Sequence, residues 1–235
     1  MSRIVDLPAS FAVSIFRMGS GFVVSGAGLQ PEKPLELYEF EACPFCRKVR
    51  EALSVLDLDA TIFPCPKGGT RHRAIVKELG GRAQFPFLVD PNTETSMYES
   101  DAIMRHLAKQ YGSGDLPLLL SLGPVTDVLS FLAGAPRVIR GSRYRPARAP
   151  EKPLELYSFE ASPYCRLVRE VLTELEIPYL LHNVAKKSRK RDAFVARSGK
   201  MMVPYLVDPN TGKEMFESAD IVRYFEQTYA IDPRV

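Results

Sequence analysis

The chain has 235 residues, 46% of them apolar, with a formal charge of +3 and four cysteines. That is apolar material for one large core or two small ones, and no apolar run approaches the roughly 20 residues that span a bilayer. So mild a charge gives no case for a nucleic-acid binder, and four cysteines in this length make no disulfide scaffold, so a reducing compartment is expected.

In chain order, the first 30 residues read as a lead-in whose basic and apolar residues are interleaved, unlike the ordered regions of a signal peptide. LELYEF (35–40) reads as a buried strand, and Pro44 suits the first turn of a helix presenting Phe45, Val49, Leu53 and Leu56 on one face. ATIF (60–63) reads as a second strand and TRHRAIVKELGG (70–81) as a helix stopped by glycines. FPFLVD (85–90) is a third strand, PNTE (91–94) a turn before a short fourth strand, and SDAIMRHLAKQYG (100–112) a closing helix.

The same order then returns. PEKPLELY begins at Pro31 and again at Pro150, an offset of 119 residues, and LVDPNT begins at Leu88 and again at Leu206, an offset of 118. A one-residue gap keeps the copies in register. The reading is a duplicated α/β domain of about 85 residues per copy, each with a parallel strand pair, a helical crossover and an antiparallel hairpin. The expected layout is a lead-in 1–30, a first domain 31–114, a second lead-in 115–149 and a second domain 150–235. The lead-ins LPASFAVSIFRMGSGFVVSG (7–26) and GPVTDVLSFLAGAPRVIRGS (123–142) occupy equivalent places, so each is expected to contribute a short packed helix, and the first is not expected to be a removable leader. The basic runs RVIRGSRYRPAR (137–148) and KKSRKR (186–191) read as solvated surface, the second also as a surface for an acidic partner.

EACPFCRKVRE in the first copy becomes EASPYCRLVRE in the second, so Cys43 is matched by Ser162 and Cys46 by Cys165. A Cys-x-x-Cys at a helix N-terminus has a physical use, because the unpaired N–H groups and the positive end of the dipole favour a thiolate. Arg47 and Lys48 are expected to add positive charge. Cys43 is then the nucleophile and Cys46, one turn in, the thiol that resolves a mixed disulfide. Two other readings stand beside this: half of a zinc site completed by Cys65, Cys165 and His72, and a pair of inert buried thiols.

LYEFEACPFCRKVREAL, FPFLVDPNT, MYESDAIMRHL and the PCPKGGTRHR run together resemble the glutaredoxin-like, thioredoxin-fold N-terminal domain of the glutathione S-transferase superfamily, in a tandem form found in cyanobacteria and plant plastids. The resemblance covers nearly all of both repeats. It implies glutathione as the bound cofactor, with Cys43 and Ser162 where the family meets the glutathione sulfur. Pro86 and Pro204 match its cis-proline, so the backbones of Phe85 and Val203 would pair with the cysteinyl part of the tripeptide. Glu99-Ser100 and Glu217-Ser218 match its Glu-Ser pair for the γ-glutamyl end. Physically, a helix start can hold a carboxylate and a neighbouring glutamate an ammonium, although a plain helix cap is the alternative. Cys65 is either a second resolving thiol or a strand-end core residue, Cys165 is structural or reactive, and Arg71, His72 and Arg73 either meet the glycine carboxylate or face water.

The family's all-helical substrate domain has no counterpart in the sequence, which places thiol exchange ahead of conjugation. The leading expectation is a glutathione-dependent thiol–disulfide oxidoreductase acting on glutathionylated or disulfide substrates through Cys43, with no metal. The alternatives are a transferase-type or peroxidase-type enzyme using Ser162, a glutathione or iron–sulfur cluster carrier, and a second copy with a purely structural role. No nucleic acid and no membrane span are expected, the chain being a monomer or homodimer in a bacterial cytoplasm or a plastid stroma.

Overall fold

The computed structural model of the chain describes residues 21–113 and 140–231. The first repeat runs β1 (Leu35–Glu39), α1 (Pro44–Val55), β2 (Ala60–Pro64), α2 (His72–Gly80), β3 (Phe87–Asp90), β4 (Thr95–Tyr98) and α3 (Ser100–Tyr111). The second runs β5 (Leu154–Ser158), α4 (Pro163–Glu174), β6 (Tyr179–Asn183), α5 (Arg191–Ser198), β7 (Tyr205–Asp208), β8 (Lys213–Phe216) and α6 (Ser218–Thr228). In each, the first two strands are parallel and the last two form an antiparallel hairpin beside them. These are two tandem thioredoxin folds.

Local chemistry sets the element ends. Pro44 and Pro163 occupy the first turns of α1 and α4, where a missing N–H costs nothing. α2 and α5 stop at Gly81 and Gly199, both left-handed with φ of 80° and 83°, as a helix C-terminus favours in glycine. The repeated LVDPNT is a turn built on its aspartate. Asp90 accepts from the Asn92 backbone at 3.0 Å and Asp208 from that of Asn210 at 2.8 Å, and each ties down the closing helix through tyrosine hydroxyls, Tyr111 at 2.8 Å and Tyr224 at 2.6 Å.

The two sheets are one. β2 pairs antiparallel with β6 in the register Ala60↔Leu181, Thr61↔Leu180 and Ile62↔Tyr179, giving the strand order β4-β3-β1-β2-β6-β5-β7-β8. This pairing removes the open edge that β2 would otherwise present. The repeats also share one apolar core, in which Leu37, Leu53, Ile62 and Leu107 join Leu156, Leu172, Tyr179 and Phe225.

Because the repeats meet, the helix face that would be wetted in a lone repeat is buried. Arg47, Lys48, Arg50 and Glu51 on α1 are buried, as are Arg166, Arg169 and Glu170 on α4. Arg50 Nε donates to Glu160 at 2.9 Å, and Arg169 Nε donates to Glu41 at 3.0 Å. Acids beyond the helix ends complete the joint. Glu176 accepts from the Thr70, Arg71 and His72 backbones and so caps α2 of the first repeat, while Asp57 accepts from the Arg189 backbone just before α5.

Two expectations are corrected. Phe45 does not belong to the buried stripe of α1; it is 47% exposed, while Val49, Leu53 and Leu56 are buried. The basic runs are not simply solvated, since Arg145 pairs with Glu174 at 3.0 Å and Glu226 at 2.7 Å, and Lys190 pairs with Asp57 at 3.4 Å. Lys186, Lys187 and Arg189 do remain exposed. The lead-in helices expected in 7–26 and 123–142 fall mostly outside the described residues. The described residues next to them form turns and arms that cross between repeats. Val23 bridges Lys186 of the second repeat, and Arg143 bridges Lys67 of the first.

Candidate functional site

Cys43 is the N-cap of α1, with φ −72° and ψ 122°, and its Sγ accepts from the Cys46 backbone N–H at 3.3 Å. This places the sulfur on the unpaired donors of the helix end. The Cys46 thiol also donates to it, and these bonds, with the Phe45 N–H, hold the Cys43 pKa below that of an ordinary thiol against the opposing effect of burial. Burial pushes the Cys46 thiol well up, and its bond to Cys43 pushes it further. One sulfur is thus favoured as thiolate and its neighbour as thiol.

The expected help from Arg47 and Lys48 is corrected. Arg47 Nε faces Glu160 at 3.8 Å and Lys48 Nζ meets Asp101 at 2.5 Å, so both cations are matched to carboxylates. Neither is among the largest influences on the Cys43 pKa. The helix terminus and the second thiol supply the bias.

The other residues named from the sequence have the same backbone geometry in both repeats. The Phe85–Pro86 and Val203–Pro204 bonds are both cis. The Phe85 ring packs edge-on to Phe40 at 6.2 Å, in the turn that leads to Cys43. Glu99 and Glu217 stand before α3 and α6 with φ of 68° and 67°, a left-handed conformation unfavourable for a glutamate and the same in both repeats. They are the cap residues, without a side-chain capping bond, and Ser100 and Ser218 are the first helical residues, both buried. The Glu99 carboxylate is exposed and accepts from Gln84 Nε2 at 2.7 Å.

The three basic residues at the start of α2 separate. Arg71 donates to the Leu175 and Glu176 carbonyls, both at 3.1 Å, and so serves the joint between repeats. His72 is buried, with Nδ1 2.7 Å from the Pro64 carbonyl oxygen. Arg73 turns instead toward Phe85, the residue before the cis-proline. It donates to the Cys65 carbonyl at 2.9 Å and lies 4.7 Å over the Phe85 ring. Arg191 repeats the backbone contacts in the second repeat, donating to Ala185 at 2.9 Å, a correspondence the aligned repeats would have revealed. Cys65 is fully buried beside Tyr38, Val76 and Phe87, burial pushes its thiol up, and its Sγ donates to the Phe63 carbonyl, the environment of an inert core cysteine.

In the second repeat Ser162 caps α4 with φ −72° and ψ 118°, and its Oγ accepts from Cys165 N–H at 3.3 Å. The geometry is that of Cys43 without the thiol. Cys165 is fully buried. Among the described residues no three His, Cys, Asp or Glu side chains gather as they would around a metal ion, and no helix is long and apolar enough to cross a membrane.

No curated protein and no solved structure matches the chain. The family model of the glutathione S-transferase N-terminal domain matches it twice, over residues 37–115 and 156–233. Each matched stretch holds one of the two equivalent caps, Cys43 or Ser162, with one cis-proline and one Glu-Ser pair. The chain belongs to the glutathione S-transferase N-terminal domain family, and carries that domain in tandem.

Proposed function

We propose that the chain is a glutathione-dependent thiol–disulfide oxidoreductase of the glutaredoxin kind, with Cys43 as nucleophile and Cys46 as resolving thiol. The observation that carries this reading is the opposite bias of the two sulfurs at the α1 N-terminus, Cys43 toward thiolate and Cys46 toward thiol. The left-handed glutamates support a ligand-binding role, since such strain of about 1–3 kcal/mol tends to collect at ligand clamps. In this reading Glu99 and Ser100 receive the γ-glutamyl end, the Phe85 backbone pairs with the cysteinyl unit, and Arg73 faces the glycine carboxylate. The corresponding positions in the second repeat are Val203, Glu217 and Ser218.

On a glutathionylated protein the Cys43 thiolate attacks the glutathione sulfur. A Cys43–glutathione disulfide forms, and the substrate thiolate leaves and takes a proton from water. Cys46 then gives its proton to water and attacks Cys43 Sγ, expelling glutathione thiolate and leaving a Cys43–Cys46 disulfide. Two glutathione molecules restore the dithiol and leave as glutathione disulfide. Alternatively a second glutathione attacks the mixed disulfide directly, a route favoured by the raised Cys46 pKa. A reducing cytoplasm or plastid stroma would keep the dithiol ready. Ser162 offers no sulfur for exchange.

The test is reduction of a glutathionylated peptide by glutathione, in wild type and in Cys43→Ser. Turnover in wild type and background rate in the variant are expected. Equal rates in the two would overturn the proposal.

A further inference from the structure

The two arms that cross between the repeats bring different side chains to equivalent places. The first arm lies on the second repeat, where the Val24 backbone donates to the Lys186 carbonyl at 2.8 Å and Lys186 donates back to Phe22 at 2.9 Å. The second arm lies on the first repeat in the same way. Lys67 donates to Ser142 at 2.7 Å and Tyr144 donates to Lys67 at 3.0 Å. Lys67 and Lys186 are equivalent, so Phe22 and Val24 correspond to Ser142 and Tyr144. Each arm also borders the turn before α1 or α4 of the opposite repeat. Gly141 accepts from the Ala42 backbone at 3.3 Å, and Gly21 stands against the Cβ of Glu160.

The side chains that the arms bring are of opposite kinds. Val24 packs on an apolar cluster of Phe159, Ala161 and Ala185, and Val203, the residue before the second cis-proline, packs on the same cluster. The Phe22 ring lies edge-on to Phe159 at 5.7 Å. The arm and the cis-proline loop are therefore joined by apolar contacts beside the turn that leads to Ser162. Ser162 and Cys43 are equally buried, each 4% exposed, so the repeats differ in the chemistry of what lies over the turn and not in its exposure. On the first repeat the same backbone pairing presents a hydroxymethyl group and a phenol, and there Phe85 is covered by the cation of Arg73 instead of an apolar arm.

We propose that Phe22 and Val24 close the Ser162 turn, so that the chain holds one ligand site, at Cys43, whose wall is completed from the other repeat by Ser142 and Tyr144. The closure itself is independent of ligand identity. The prediction of one glutathione per chain rests on the functional reading above.

The test uses the full chain carrying Ser162→Cys, with and without Phe22→Ser and Val24→Tyr, which give the first arm the residues of the second. Iodoacetamide alkylation is followed at each cysteine by peptide mass mapping, and the buried Cys165 in the same molecules reports any general unfolding. Alkylation at position 162 at least tenfold faster in the arm variant, with Cys165 unchanged, is expected. Equal rates at 162, or a matching rise at Cys165, would overturn the closure. Calorimetric titration of glutathione into proteins with Ser162 retained adds the second readout. One equivalent for wild type and two for the arm variant are expected, the second lost with Ser218→Ala. Two equivalents in wild type would overturn the closure, whereas no binding to either protein together with the alkylation difference would overturn the glutathione reading and leave the closure standing.

Discussion

Arg50 and Glu160 lie 110 residues apart in the chain and meet as a buried ion pair, Nε donating to Oε2 at 2.9 Å. The relation is mirrored by Arg169 and Glu41 at 3.0 Å, and each arginine also reaches the other glutamate, Arg50 to Glu41 at 3.2 Å and Arg169 to Glu160 at 2.8 Å. Two acids and two guanidiniums thus form a closed ring across the joint. Burying such charges is costly, but once they are buried the loss of one partner is worse than the pair, because it strands the other.

Arg50→Met and Arg169→Met are each expected to destabilise the chain by about 3–5 kcal/mol, the usual effect of orphaning a buried charge. Urea unfolding measures this. Because the repeats share one core, wild type should unfold in a single transition; two separated transitions would contradict the shared core.

Two carboxyls of this joint respond oppositely to pH. Burial opposes ionisation of Glu160, but Arg169, Arg50 and Arg166 hold its pKa at about 2, below its ordinary value. Its contribution is present above the unfolded pKa and disappears as pH falls through the folded one, so stability should drop between about pH 4 and 2. Burial raises Glu39 to about 7, despite Arg50. The folded state then holds a proton that the unfolded state has released, so stability from this group declines as pH rises from its unfolded pKa toward 7. Glu39→Gln should flatten the upper slope and leave the acid limb in place, as read from unfolding midpoints across pH.

The Cys46 thiol is the largest cause lowering the Cys43 pKa. Cys46→Ala should shift the pH profile of Cys43 alkylation upward. Cys46→Ser, which keeps an O–H donor, should shift it less. An unchanged profile in Cys46→Ala would show that the helix terminus alone sets the bias.

Arg73 lies over the Phe85 ring, while Arg71 serves the joint. Arg73→Gln is expected to weaken glutathione binding about tenfold or more, since a bond to a charged group is worth about 1.5–3 kcal/mol. Arg71→Gln should lower stability with little change in affinity. Calorimetry and unfolding, run on both variants, separate the two roles.

The order of strands and helices was readable because each repeat alternates apolar runs, breakers and amphipathic stripes, and because LVDPNT and the proline at the start of the first helix of each repeat recur. The joint was not. Periodicity assigns Arg47, Arg50 and Glu51 to the wetted face of α1, and nothing local says that the other repeat occupies it. One signal was available: the aligned stretches keep Glu41 and Glu160, Arg47 and Arg166, and Arg50 and Arg169, although solvent would tolerate change there. Phe45 was misplaced because it has the spacing of the stripe yet stands in the first turn, beyond the core. The arms were invisible, since a short extended segment that pairs with a distant loop has no periodicity of its own.

The central claim is that Cys43 is the sulfur that exchanges with glutathione. Cys46→Ser protein incubated with glutathione disulfide, then digested without reductant and mapped by mass, tests it most directly. The account predicts one glutathionyl adduct per chain, on the peptide holding Cys43, with Cys65 and Cys165 unmodified. An unmodified Cys43, or an adduct on Cys65 or Cys165 in its place, would contradict it.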